Sequence, residues 1–146
     1  MIRTVKKTLD IAIFSLSNNK LYEAVAEVWN RGCYVRVIAD DEACKNYGSD
    51  IYRLAKLGIP VKTDDEKKFH MHHKFAILDN CVVVTGSFNW TDQAVKHNQE
   101  NILFIHNDGL AKQYCDEYEH LWKTFKVSIS QEQAKKLVDE QRKHKY

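Results

Sequence analysis

Proline occurs once and glycine five times in 146 residues, which leaves no Pro/Gly-rich linker and no collagen-like or low-complexity stretch. No internal repeat is present. Cysteine is sparse and scattered, as Cys33, Cys44, Cys81 and Cys115; this spacing excludes a zinc-finger pattern and predicts free, partly buried thiols in place of a disulfide framework. No apolar run approaches the ~20 residues of a membrane-spanning helix, and no signal-peptide pattern opens the chain, so it reads as soluble. Charge of one sign is also lacking. Twenty-two Lys and Arg against 20 Asp and Glu leave +2, too little to mark a polyanion partner by bulk charge. What remains is 44% apolar and 29% charged residues, the make-up of one domain with a sizeable core.

Residues 72–89 carry the chemistry. His72-x-Lys74, four residues, Asp79, six residues and Gly86-Ser87-x-Asn89 lie across two apolar runs joined by Asp79-Asn80, the look of two adjacent strands and a tight turn. A lone His-x-Lys on a strand is ordinary surface decoration. Six specified positions at fixed spacing arise by chance about once in 10^5 such chains, which reverses that reading.

Side chains two apart share a strand face, so His72 and Lys74 point together while His73 and Phe75 turn the other way into packing. A neutral imidazole can attack phosphorus and form a phosphohistidine, and a fixed cation beside it offsets charge on the phosphoryl oxygens. No metal or other cofactor is needed. Ser87 and Asn89 offer a hydroxyl and an amide to the same phosphate, and Gly86 lets the backbone approach. Asp79 has the opposite parity and sits beside the turn, as a structural acceptor in place of a general base. Glu100 opens the next apolar run, where a carboxylate can orient the His72 ring. A competing assignment has His70, His72 and Glu100 chelate zinc.

The residues His72, Lys74, Asp79, Gly86, Ser87 and Asn89 resemble the phospholipase D superfamily signature. The wider run from Met71 to Phe104, with Asn89-Trp90-Thr91 and Asn98-Gln99-Glu100-Asn101, resembles the Zucchini or mitochondrial cardiolipin hydrolase branch, and the small bacterial endonuclease Nuc is a more distant relative. The resemblance implies a metal-independent phosphodiesterase with His72, Lys74, Asp79 and Glu100 as its catalytic set. Two motifs then face each other across a two-fold axis, one histidine attacking and the other protonating the leaving oxygen. This chain holds one copy, so a homodimer is required.

Two substrate classes follow: single-stranded RNA or DNA, as in small-RNA (piRNA) maturation in germ cells, or a phospholipid such as cardiolipin. A catalytically silent scaffold is a third possibility, disfavoured because every reactive position is present. The resemblance places residues 1–128 in the catalytic domain and leaves 129–146 as a polar helix or tail. It also implies that the family's N-terminal anchor, first strand and zinc module are missing; mitochondrial outer-membrane placement would need that anchor.

The expected fold is α/β: a mixed, mostly parallel sheet with helices on both faces. Strands are expected at Ile11 to Leu16, Tyr34 to Ala39, Val61 to Thr63, the two motif runs and Ile102 to His106. Ser17-Asn18 caps a helix with Leu21, Val25, Val28 and Trp29 on its apolar face, ending near Gly32. A second helix runs from Ser49-Asp50 to Gly58 and Pro60. Leu110, Tyr114, Tyr118, Leu121, Trp122 and Phe125 stripe a third. Ser130 and Gln133 form a capping box for a last helix, whose Arg142-Lys143-His144-Lys145 end frays. Trp90 is expected to pack, with base stacking as the other option. Lys67, Lys68 and Lys96 could line a phosphate track or be simply solvated.

Overall fold

A computed structural model describes residues 1–65 and 68–143; Lys67, His144 and Lys145 lie outside them. In chain order the elements are β1 (Thr8–Ile13), β2 (Leu16–Ser17), α1 (Asn19–Asn30), β3 (Tyr34–Ala39), α2 (Ile51–Lys56), β4 (Val61–Thr63), β5 (Lys74–Leu78), β6 (Val82–Gly86), β7 (Trp90–Thr91), α3 (Asp92–His97), β8 (Ile102–His106), α4 (Asp108–Thr124), β9 (Val127–Ser128) and α5 (Gln131–Lys143).

Seven strands form one sheet in the order β8-β6-β5-β1-β3-β4-β9, and β2 pairs with β7 beside it. β1, β3 and β4 run parallel because α1 and α2 are the crossovers between them. The other pairings of the large sheet, β1 with β5, β5 with β6, β6 with β8 and β4 with β9, are antiparallel. The sheet is therefore mixed as expected but not mostly parallel. The cause is that β5 docks antiparallel on β1 and the motif runs then close through a tight turn, with Asp79 at φ 51° and Asn80 at φ 57° and the Cys81 N–H on the Leu78 carbonyl at 3.1 Å. Such a turn makes antiparallel neighbours.

Alternation puts two cores on the two faces. Leu9, Ile11, Ile13, Val35, Val37, Ala76 and Leu78 meet Val25 and Val28 of α1, Ile51 and Leu54 of α2, and Ala134 and Val138 of α5. Ala12, Ile38, Phe75 and Ile77 meet α4 through Tyr118, with Tyr114, Leu121, Trp122 and Phe125 packed around it. Fully burying each such aliphatic or aromatic side chain contributes about 1.5–3 kcal/mol. The caps are those the sequence calls for: the Asn18 side chain accepts from the Leu21 N–H at 3.0 Å, and Ser130 and Gln133 bond reciprocally at 3.1 and 3.0 Å. Because α5 buries Ala134 and Val138, this polar segment is packed onto the core of the preceding residues.

All four cysteines are free. Trp90 is 3% exposed, so it packs and presents no stacking face. Among the described residues no helix is long and apolar enough to cross a membrane. β8 is an edge strand that leaves Ile102, Leu103 and Phe104 exposed.

Candidate active site

β1 delivers the floor of the site. It pairs with β5 so that Ile13 faces Lys74, and the next residue, Phe14, donates its N–H to the His73 carbonyl at 2.9 Å. The Phe14 ring then lies 4.8 Å from the His72 ring, centre to centre, and 5.3 Å from Lys74 Nζ. His72 and Lys74 share a face as alternation requires. Lys74 Nζ donates to the His72 carbonyl at 2.8 Å and stands 3.3 and 3.4 Å from the two ring nitrogens.

Partial burial of the ring, then the Lys74 charge, push the His72 pKa below its ordinary value, which keeps the imidazole neutral and nucleophilic. Burial also lowers the Lys74 pKa, against the pull of the Glu100 carboxylate. The pair opens into a cleft of about 560 Å³ lined by His72, His73, Lys74, Ser87, Gln113 and Tyr114.

The opposite wall comes from the end of β6. Gly86 has φ 151°, and a Cβ there would collide with the Asn101 carbonyl oxygen, so only glycine lets β6 run against the start of β8. The Ser87 N–H donates to that carbonyl at 3.0 Å. Ser87 Oγ donates to the Glu100 carboxylate and accepts the Asn101 N–H at 3.1 Å, while Asn98 Nδ2 donates to Glu100 at 2.9 Å. The bonds from Ser87 and Asn98 hold the Glu100 pKa below its ordinary value.

The structure thus brings His72, Lys74, Ser87 and Glu100 to one end of the sheet. Glu100 bonds to Ser87 and Asn98 and faces Lys74 electrostatically; its hydrogen bonds do not include the His72 ring. Asn89 does not line the cleft, and its Oδ1 is buried without a partner among the described residues. Asp79 sits at the far end of β5, where its carboxylate accepts the N–H groups of Lys6, Lys7 and Thr8 at 3.0, 2.7 and 3.0 Å. Burial pushes its pKa up, but those N–H groups prevail and leave it below the ordinary value.

His73 departs from the expectation of packing. Its ring stands edge-on to Phe75 at 5.3 Å, 3.9 Å from Glu117 of α4 and half exposed, because it lines the open cleft between the strand end and α4. The zinc trio does not assemble. His70 Nδ1 is instead 2.8 Å from the buried carboxylate of Asp40, and Glu100 is engaged by Ser87 and Asn98. Asp40, Asp41 and Asp64 lie near one another, with Asp40 accepting the Ala43 N–H at 2.7 Å and Asp64 those of Asp41 and Met71, both at 2.8 Å. These bonds staple the loops behind the site.

Two contributors were missed in the sequence. Phe14 reads as mid-strand until β1 is seen to end at Ile13, and the His70–Asp40 pair joins residues 30 apart that only the β3 to β5 topology brings together.

An imidazole and an ammonium share one cleft on a mixed sheet with helices on both faces, the arrangement expected of the phospholipase D superfamily. The chain belongs to that superfamily: residues 1–122 match the family described as "Cardiolipin synthase, PLD-like domain". It is 40% identical over 120 residues to the mitochondrial cardiolipin hydrolase of Chlamydomonas reinhardtii, covering 82% of this chain and 53% of that protein. To the human protein of the same name it is also 40% identical over 120 residues, covering 82% and 47%. It therefore spans about half the length of the curated relatives it matches. The fold superposes on Nuc, a phospholipase D family member from Salmonella typhimurium, with a TM-score of 0.80 and 28% identity over 86% of this chain and 84% of that one.

Proposed function

We propose that this chain is a metal-independent phosphodiesterase that cuts single-stranded nucleic acid through a phosphohistidine, with two copies completing the site. The observation that carries the chemistry is the Lys74 ammonium 3.3–3.4 Å from both nitrogens of a partly desolvated His72 ring. Neutral His72 attacks phosphorus, the phosphorus–oxygen bond to the leaving group breaks, and the leaving oxygen takes a proton from the protonated His72 of the second copy. Water then attacks the phosphohistidine, and the second copy's His72 takes the water's proton as the nitrogen–phosphorus bond breaks. Lys74 neutralises the equatorial oxygens in both steps. Glu100 fixes Ser87, whose hydroxyl can donate to a phosphate oxygen by turning from the carboxylate. The single His-x-Lys pair per chain is the reason for two copies.

A second reading, hydrolysis of a phospholipid diester such as cardiolipin, is favoured by the name its relatives carry. The test is to incubate wild type and His72→Asn, with and without EDTA, with labelled single-stranded RNA, single-stranded DNA, duplex or cardiolipin vesicles. Cleavage of a single strand that persists in EDTA and disappears in His72→Asn is expected. Consumption of cardiolipin alone would transfer the site to the lipid reading, and loss of all turnover in EDTA would refute the metal-free mechanism.

A further inference from the structure

Two carboxylates stand where the parallel strands end, at the same end of the sheet as Lys74: Asp40 follows the last residue of β3 and Asp64 the last of β4. Both hold the segment that leads into β5. Asp64 accepts the Met71 N–H at 2.8 Å, and His70 Nδ1 donates to Asp40 Oδ2 at 2.8 Å. A carboxylate out of water needs a partner for each oxygen. Asp40, whose side chain has no exposed surface, has the Ala43 N–H on Oδ1 at 2.7 Å and the imidazole on Oδ2. The His70 ring is thereby fixed at one nitrogen while half of its side chain stays in solvent.

That ring meets the floor beneath His72. His70 stands perpendicular to Phe14, 84° between planes and 5.8 Å between centres, and the Phe14 ring lies 4.8 Å from the His72 ring. One aromatic ring is therefore held between two imidazoles. The hydrogen bond to Asp40 and its charge raise the His70 pKa, and the carboxylates of Glu42 and Asp64 add to this; Lys68 lies exposed on the same segment, two residues ahead. His70 thus stays protonated above the pH at which an ordinary histidine loses its charge. The charges that face His72 are the cations Lys74, His70 and His73 and the carboxylate of Asp40. Burial of its ring, then Lys74, then His70 disfavour its protonation, and Asp40 alone opposes them among the leading influences.

We propose that His70, seated on Asp40, is a positioning residue for His72: a fixed imidazolium that braces Phe14 beneath the nucleophile and repels a proton from its ring. This rests on the reading of His72 as the attacking group, and it assigns part of the control of that group to a pair outside the His-x-Lys spacing. Asp40 and His70 act through Phe14 and through charge, without touching the reacting atoms.

The test follows the His72 ring by NMR titration of the full chain, which needs no turnover, beside pH profiles of diester cleavage. His70→Gln keeps an amide that can donate to Asp40 and removes the positive charge. It is expected to move the His72 titration upward by about half a pH unit, to carry the acid limb of kcat/KM upward with it, and to lower kcat on the neutral plateau about 3- to 10-fold. His70→Arg, which returns a cation to Asp40, should bring the His72 titration back toward that of wild type. An unmoved His72 titration in His70→Gln would overturn the proposal. So would a lower melting temperature with the pH profile of the folded protein unchanged, the mark of a purely structural residue. If wild type cleaves no diester, the phosphohistidine reading fails, and the NMR titration still decides whether His70 acts on His72.

Discussion

The two ends of the β5–β6 hairpin have the same parentage in sequence and opposite physical states. At the Asp79 end the carboxylate is saturated: it holds three backbone N–H groups of the segment that leads into β1, and the turn residues occupy the left-handed conformation that Asp and Asn tolerate. At the His72 end two basic groups crowd each other over Phe14, with both pKa values pushed down. One end of the motif stabilises the fold, and the other holds groups in a state that favours reaction with an anion. Residues of one signature need not share one task.

Substitution should separate the two ends. His72→Asn is expected to lower the rate of diester cleavage by about 10^4-fold or more with melting unchanged, because it removes the proposed nucleophile. Lys74→Ala should cost about 10^2- to 10^3-fold in kcat, as expected for a charge stabiliser acting in the transition state. Asp79→Ala should instead cost about 1–3 kcal/mol in denaturant unfolding, from three N–H groups left without their acceptor, with the rate per folded molecule retained. Asp79→Asn should cost less, since Asn tolerates the same backbone conformation and keeps one acceptor. If Asp79→Ala melted like wild type while its rate fell like that of His72→Asn, the division between the two ends would be broken.

The ends should also titrate apart. His72 has its pKa lowered below 6.5, so it is neutral above that shifted value and the acid limb of kcat/KM should fall below pH 6.5. By NMR, the His72 titration should move upward in Lys74→Met. Asp79 also has a lowered pKa, but the consequence is stability: its contribution is fully present above the ordinary value of 3.8 and is lost as pH falls through the folded-state value. Wild type and Asp79→Asn should therefore converge in stability in strong acid.

The sequence made the motif end legible because chemistry there depends on parity and spacing along one strand. His72 beside Lys74, Asp79 turned away and Gly86 at a close approach are all local inferences, and the elements with strong periodicity, α1, β3, β4, β8 and α4, lie within about two residues of where they were expected. What depended on pairing between distant segments was less legible. β1 starts at Thr8, ahead of the expected Ile11, because Thr8 finds a partner in Tyr34; Leu16, expected to end that strand, and Ser17, expected with Asn18 to cap the helix, pair instead with Trp90 and Thr91. The antiparallel majority of the sheet follows from where β5 docks on β1. Glu100 was expected to orient the His72 ring; its hydrogen bonds go instead to Ser87 and Asn98, a choice fixed by the turn between α3 and β8.

The central claim is that His72 carries the phosphoryl group. Rapid alkaline quenching of wild type during turnover of a single-stranded substrate, followed by peptide mass spectrometry, should find a nucleotidyl phosphate on His72 and none in His72→Asn. Rapid turnover with no adduct on His72, or with the adduct on His70 or His73, would contradict it.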